Sequence, residues 1–84
     1  MSKHEEYVKV VAELNSLSFK LQERVNRCGY LNKRMKTMIR CKNREQAEAY
    51  SYRINGHKPK ILCLLERIEE LETELRSMPR EWIT

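Results

Sequence analysis

The sequence predicts an all-α protein whose helices carry coiled-coil-like seams, and three observations predict it. Only two Gly (Gly29, Gly56) and two Pro (Pro59, Pro79) punctuate 84 residues, too few to turn a set of strands. Leu, Met, Glu, Lys and Arg, all good helix formers, make up much of the remainder. Apolar residues recur every three or four positions in both halves of the chain, the spacing of a narrow helical stripe. With 35% charged and 40% hydrophobic residues the composition suits a folded chain. It excludes an all-β domain, a glycine-rich phosphate loop and a disulfide scaffold.

The elements follow in order. Ser2 with Glu5 forms a capping box, so a helix is expected to begin almost at residue 1. Tyr7, Val10, Leu14, Leu17 and Leu21 keep a 3-4 rhythm, Val25 and Cys28 extend it, and Leu31, Met35 and Met38 resume it in phase. Gly29 interrupts the stripe and has two readings: a helix stop with a turn around residues 28–30, or a tolerated glycine inside one helix running to about Cys41. Asn43 with Gln46 is a second capping box, placing a helix start at Arg44. Gly56 reads as the residue after a helix end, and Pro59 as the first-turn proline of the next helix. Ile61, Leu64, Ile68, Leu71, Leu75 and Met78 give the last helix a regular heptad stripe, ended by Pro79. The expected helices therefore run over roughly 3–28, 30–55 (with a break near 43) and 59–78, with a tail at 79–84. They form one small domain, either a helical hairpin or a three-helix arrangement. Seams this long are expected to associate with a second copy, giving a homo-oligomer, with a compact monomeric bundle as the alternative.

Charge is distributed unevenly. The chain is net +5, but residues 20–60 hold twelve Lys and Arg against three Glu, net +9, between acidic flanks. On one helix at about 100° per residue, Lys33, Lys36, Arg40 and Arg44 share a band opposite Leu31, Met35 and Met38. Arg34, Arg53, Lys58 and Lys60 flank that band, and Tyr30, Tyr50, Tyr52 and His57 are interleaved with the cations. Aligned cations repel one another. A phosphate backbone would offset that repulsion. So would the Glu66, Glu70 and Glu74 stripe of the last helix, in the same chain or another.

Catalysis has no local motif: His4 and His57 are the only imidazoles, and no nucleophile has a recognisable setting. Cys28, Cys41 and Cys63 match no zinc spacing, so no metal and no cofactor are expected. The longest apolar run, residues 61–65, is far shorter than the roughly 20 residues of a membrane span. Residues 2–20 mix charges with apolar positions, unlike a signal peptide, so a cytoplasmic protein is expected.

The expected function is non-enzymatic binding of nucleic acid, RNA before DNA, by a sequestering or inhibitory factor. Lys33, Arg34, Lys36, Arg40, Arg44, Arg53, Lys58 and Lys60 are its candidate contacts. The alternative is a protein–protein adaptor or inhibitor that docks the basic stripe on an acidic partner, with the exposed ends of the seam and Trp82 as hot-spot candidates. Short, basic, helical and with unpaired cysteines, the chain resembles the small early proteins that bacteriophages make to disarm host factors. Some of those inhibit ribonuclease toxins with RNA assisting the contact. The likeness rests on general character and length, and it transfers no site residues.

Overall fold

A computed structural model describes residues 3–83 and consists of two long helices and one short one: α1 (Lys3–Arg40), α2 (Arg44–Ser77) and α3 (Arg80–Ile83). No strand occurs among the described residues. The long helices are antiparallel partners. Arg67 on α2 reaches Glu13 on α1, and His57 reaches Arg24, so paired residue numbers sum to about 80 along the whole length. The result is a rod of 60 × 17 × 16 Å.

The turn explains this register. Asn43 donates its backbone N–H to Met38 O at 2.9 Å and Lys42 donates to Ile39 O at 3.0 Å, the paired bonds of a Schellman C-cap. That motif needs a left-handed residue, and Lys42 supplies it at φ 58°. Asn43 then caps α2, its side chain accepting from the Gln46 N–H at 3.3 Å. A loop this short leaves α2 no choice but to fold straight back along α1. Ser2, the expected cap of α1, lies outside the described residues.

The structure corrects two expectations and decides between the two readings at Gly29. Of those readings the structure has the continuous one, α1 passing through Gly29 to Arg40, whereas the break expected at 56–59 is absent, α2 passing through Gly56 and Pro59. Pro59 removes the amide that would bond the Asn55 carbonyl, but both residues lie on the exposed outer side of α2. The seam on either side of it, from Ile54 to Ile61, stays in register against α1. Tertiary packing outweighs the local breaker signals. Residues 79–84, expected as a tail, include the single turn α3. Within the chain, the seam of α1 packs against that of α2.

The seam itself is a continuous heptad with one surprise. The seam positions, all half-buried or buried, run 7, 10, 14, 17, 21, 24, 28, 31, 35 and 38 on α1 and 47, 50, 54, 57, 61, 64, 68, 71 and 75 on α2, with Met78 following at its C-cap; Val11, Asn32 and Ser51 beside the seam are also half-buried. Position 24 is therefore Arg24, and Val25, expected to carry the stripe, is 46% exposed. The fully buried anchor is Leu71, 1% exposed, with Val10, Leu31, Ala47 and Ile68 the other buried side chains. At the open end Trp82 is half-buried in the same phase. Its carbonyl accepts from His4 Nδ1 at 3.0 Å, and Lys3 Nζ lies 5.6 Å from its ring.

Both glycines are unneeded by the fold. A Cβ at Gly29 or Gly56 meets nothing within 4 Å, and neither has a positive φ. Glycine in a helix interior costs about 0.5–1 kcal/mol relative to alanine. Gly29→Ala and Gly56→Ala should each raise the thermal midpoint by several degrees in a circular-dichroism melt.

Candidate nucleic-acid interface

Heptad positions sort the rod's surface into two flanks. Counting a and d as the seam, antiparallel helices bring g to g along one flank and e to e along the other. The g-to-g bridge is visible as Arg67 Nη2 to Glu13 Oε1 at 3.0 Å, with Arg67 Nη1 also bonding Glu70 at 3.1 Å. Those two carboxylates, Glu70 first, push the Arg67 guanidinium further above its ordinary value. Lys20, Arg27 and Arg34 occupy successive g positions of α1, and Arg53 and Lys60 occupy g positions of α2. Antiparallel pairing at a sum near 80 puts these five cations on one flank, in the half of the rod that contains the turn.

Between them lies an open groove of about 1170 Å³, its walls including Lys20, Arg27, Tyr30, Tyr50, Arg53 and Lys60. A smaller adjoining hollow opens at Gly56, where no side chain covers the helix. The floor holds the seam's only charged layer. Arg24 Nη1 lies 3.2 Å from His57 Nδ1. Arginine has only donors, so Nδ1 accepts and the ring proton sits on Nε2. Tyr50 is bracketed by two guanidiniums: Arg53 sits 5.8 Å from its ring centroid, and Arg34 hydrogen-bonds to it. That hydrogen bond, with Coulombic help from Tyr50 and Tyr30, holds Arg34 further above its ordinary value. Tyr30 is 61% exposed at the groove's rim.

The expected contacts divide. Arg53 and Lys60 line this groove and Arg34 borders it. Lys33 and Arg40 stand on the outer back of α1, and Lys36 and Lys58 on the opposite flank, all exposed. Arg44 does not continue the α1 stripe, because the Schellman turn puts it on α2, where it pairs with Glu48 at 3.2 Å. Lys20, Arg24 and Arg27 were not among the expected contacts. A repeat of exactly seven between Lys20, Arg27 and Arg34 was the signal for two of them; Arg24 was hidden because Val25 beside it is the more apolar residue.

The acidic stripe does not cover this charge within the chain. In the hairpin register Lys33 lies level with residue 48, about 27 Å along the axis from Glu66 at 1.5 Å per residue. The twelve cations and three Glu of residues 20–60 all fold into the turn half of the rod. The open half holds five cations and nine Glu, net −4. Among the described residues no cluster of three or more His, Cys, Asp or Glu could hold a metal ion, and no helix is long and apolar enough to cross a membrane. Cys28, Cys41 and Cys63 are all unpaired.

The Arg24–His57 layer has a measurable cost. A polar pair in a seam commonly gives less stability than apolar side chains of similar size. Arg24→Leu combined with His57→Leu should stabilise the hairpin by about 1 kcal/mol, roughly 4–8 °C in a chain this small. A melt in which the double variant unfolds earlier than the parent would show the pair to be structural.

No protein-family model, no curated protein and no solved structure matches this chain.

Proposed function

We propose that this protein is a non-enzymatic nucleic-acid-binding factor that holds single-stranded RNA along the basic groove and acts by sequestering what it binds. The observation that carries this reading is the gathering of +9 in one half of the rod, with Lys20, Arg27, Arg53 and Lys60 around a groove that contains two tyrosines. Cations positioned this way displace the counterions condensed on a phosphate backbone, and that release drives binding. Successive g positions rise about 10.5 Å, close to three nucleotides of a stacked strand at about 3.4 Å each. Tyrosine faces beside the phosphate track offer a stacking surface to unpaired bases, which favours single-stranded RNA over duplex. The polar layer under the groove supports the same reading, because it replaces apolar packing at the place where a polyanion would sit.

Trp82, a candidate anchor in the adaptor alternative, is half-buried at the open end, with Lys3 Nζ 5.6 Å from its ring. Fluorescence anisotropy with a labelled single-stranded RNA tests the proposal. A complex should form at low salt and weaken linearly in log–log form as salt rises; absence of a complex at low salt would overturn it.

A further inference from the structure

On the flank opposite the groove the α2 side carries Lys58, Glu69 and Glu72, but the α1 side has a different character. Along α1, eight consecutive e and b positions from Val8 to Asn32 carry no charge, although 35% of the chain is charged. Val8 and Val25 are 49% and 46% exposed there, and Leu62 and Leu65 of α2 add 59% and 45% on the same flank. Ser18 and Gly29 keep the strip low enough for another helix to approach. The rod exposes 6821 Å², whereas a compact monomer of 10.2 kDa exposes about 5300 Å². The excess, about 1500 Å², is more than the roughly 800 Å² that each partner contributes to a standard interface.

We infer that this flank binds a second copy of the chain, antiparallel, to make a four-helix bundle. Charge complementarity selects the occupant and the direction. Each rod carries net +9 in its turn half and net −4 in its open half. Copies laid parallel would stack basic on basic. Copies related by a two-fold axis across the rods lay each basic half along the other's acidic half, at an interaxial distance of about 10 Å, comparable with the screening length. Such an axis packs α1 on α1 and passes near Gln22, the midpoint of that helix, placing Ser18 of one copy beside Val25 of the other. The basic groove stays on the outside, so the inference is independent of the RNA reading.

Light scattering on size-exclusion eluate, under reducing conditions, tests it first. The expected mass is twice 10.2 kDa; a monomer would overturn the inference and leave the flank to a different partner. Val25→Glu with Leu65→Glu changes only exposed positions, so far-UV circular dichroism should stay that of the parent while the dimer is lost. A dimer that survives this variant would overturn the choice of flank. Direction is read by Gln22→Cys in a background of Cys28→Ala, Cys41→Ser and Cys63→Ser. Oxidation should link two copies through position 22 in high yield. Failure to cross-link a protein still dimeric by light scattering would overturn the antiparallel arrangement.

Discussion

Replacing Lys20, Arg27, Arg53 and Lys60 together with Gln should lower affinity for single-stranded RNA by about a hundredfold or more at low salt. Each cation that meets a phosphate contributes about 0.7 to the slope of log affinity against log salt for a single strand. Losing four should therefore flatten that slope by about 3. The variant should remain folded, because all four side chains are exposed and Gln is a good helix former. Lys33, Lys36 and Arg40 changed to Gln are the informative contrast. They carry nearly the same charge but lie outside the groove, on the back and the opposite flank of α1. Their removal should weaken binding modestly through the long-range field alone. If that triple variant lost more affinity than the groove variant, the outer stripe would be the binding surface and the groove would not.

Leu71→Ala should be the most damaging single truncation. Leu71 is the one side chain that is essentially fully buried, and it sits where Val10 and Ile68 are also buried. A two-helix seam has little room to collapse around a lost isobutyl group, so a cost of about 2–5 kcal/mol is expected. Small domains hold only about 5–15 kcal/mol in total. Chemical denaturation should show the midpoint falling by a large fraction with the slope little changed. Tyr52→Ala provides the scale: at 82% exposure it should shift stability by no more than about 0.5 kcal/mol. Equal effects from the two substitutions would mean that the seam is not the stabilising contact.

Much of this architecture was legible in the residues, and the places where it was not share a cause. The seam positions from Tyr7 to Leu21 and from Ile61 to Met78 follow from apolar spacing, because an isolated helix already displays that stripe. Asn43 with Gln46 marked the start of α2 because a capping box is a local hydrogen-bond pattern. Gly56 and Pro59 misled because they report backbone preference at one site. Whether a helix continues through them depends on the summed packing of seam residues on either side, which exists only once α1 is alongside. The choice between Arg24 and Val25 likewise turns on what lies opposite, and His57 is thirty-three positions away.

The sequence by itself determined helicity, the seam and the amount of charge in each segment, since these are properties of composition and spacing along one chain. The tertiary structure alone decided where that charge stands. A short turn at Lys42 folded residues 20–60 onto themselves, brought cations seven residues apart on two helices to one flank, and left the uncharged strip on the other. Position along a chain becomes position in space only when the pairing register is set, and a left-handed residue with two capping bonds set it.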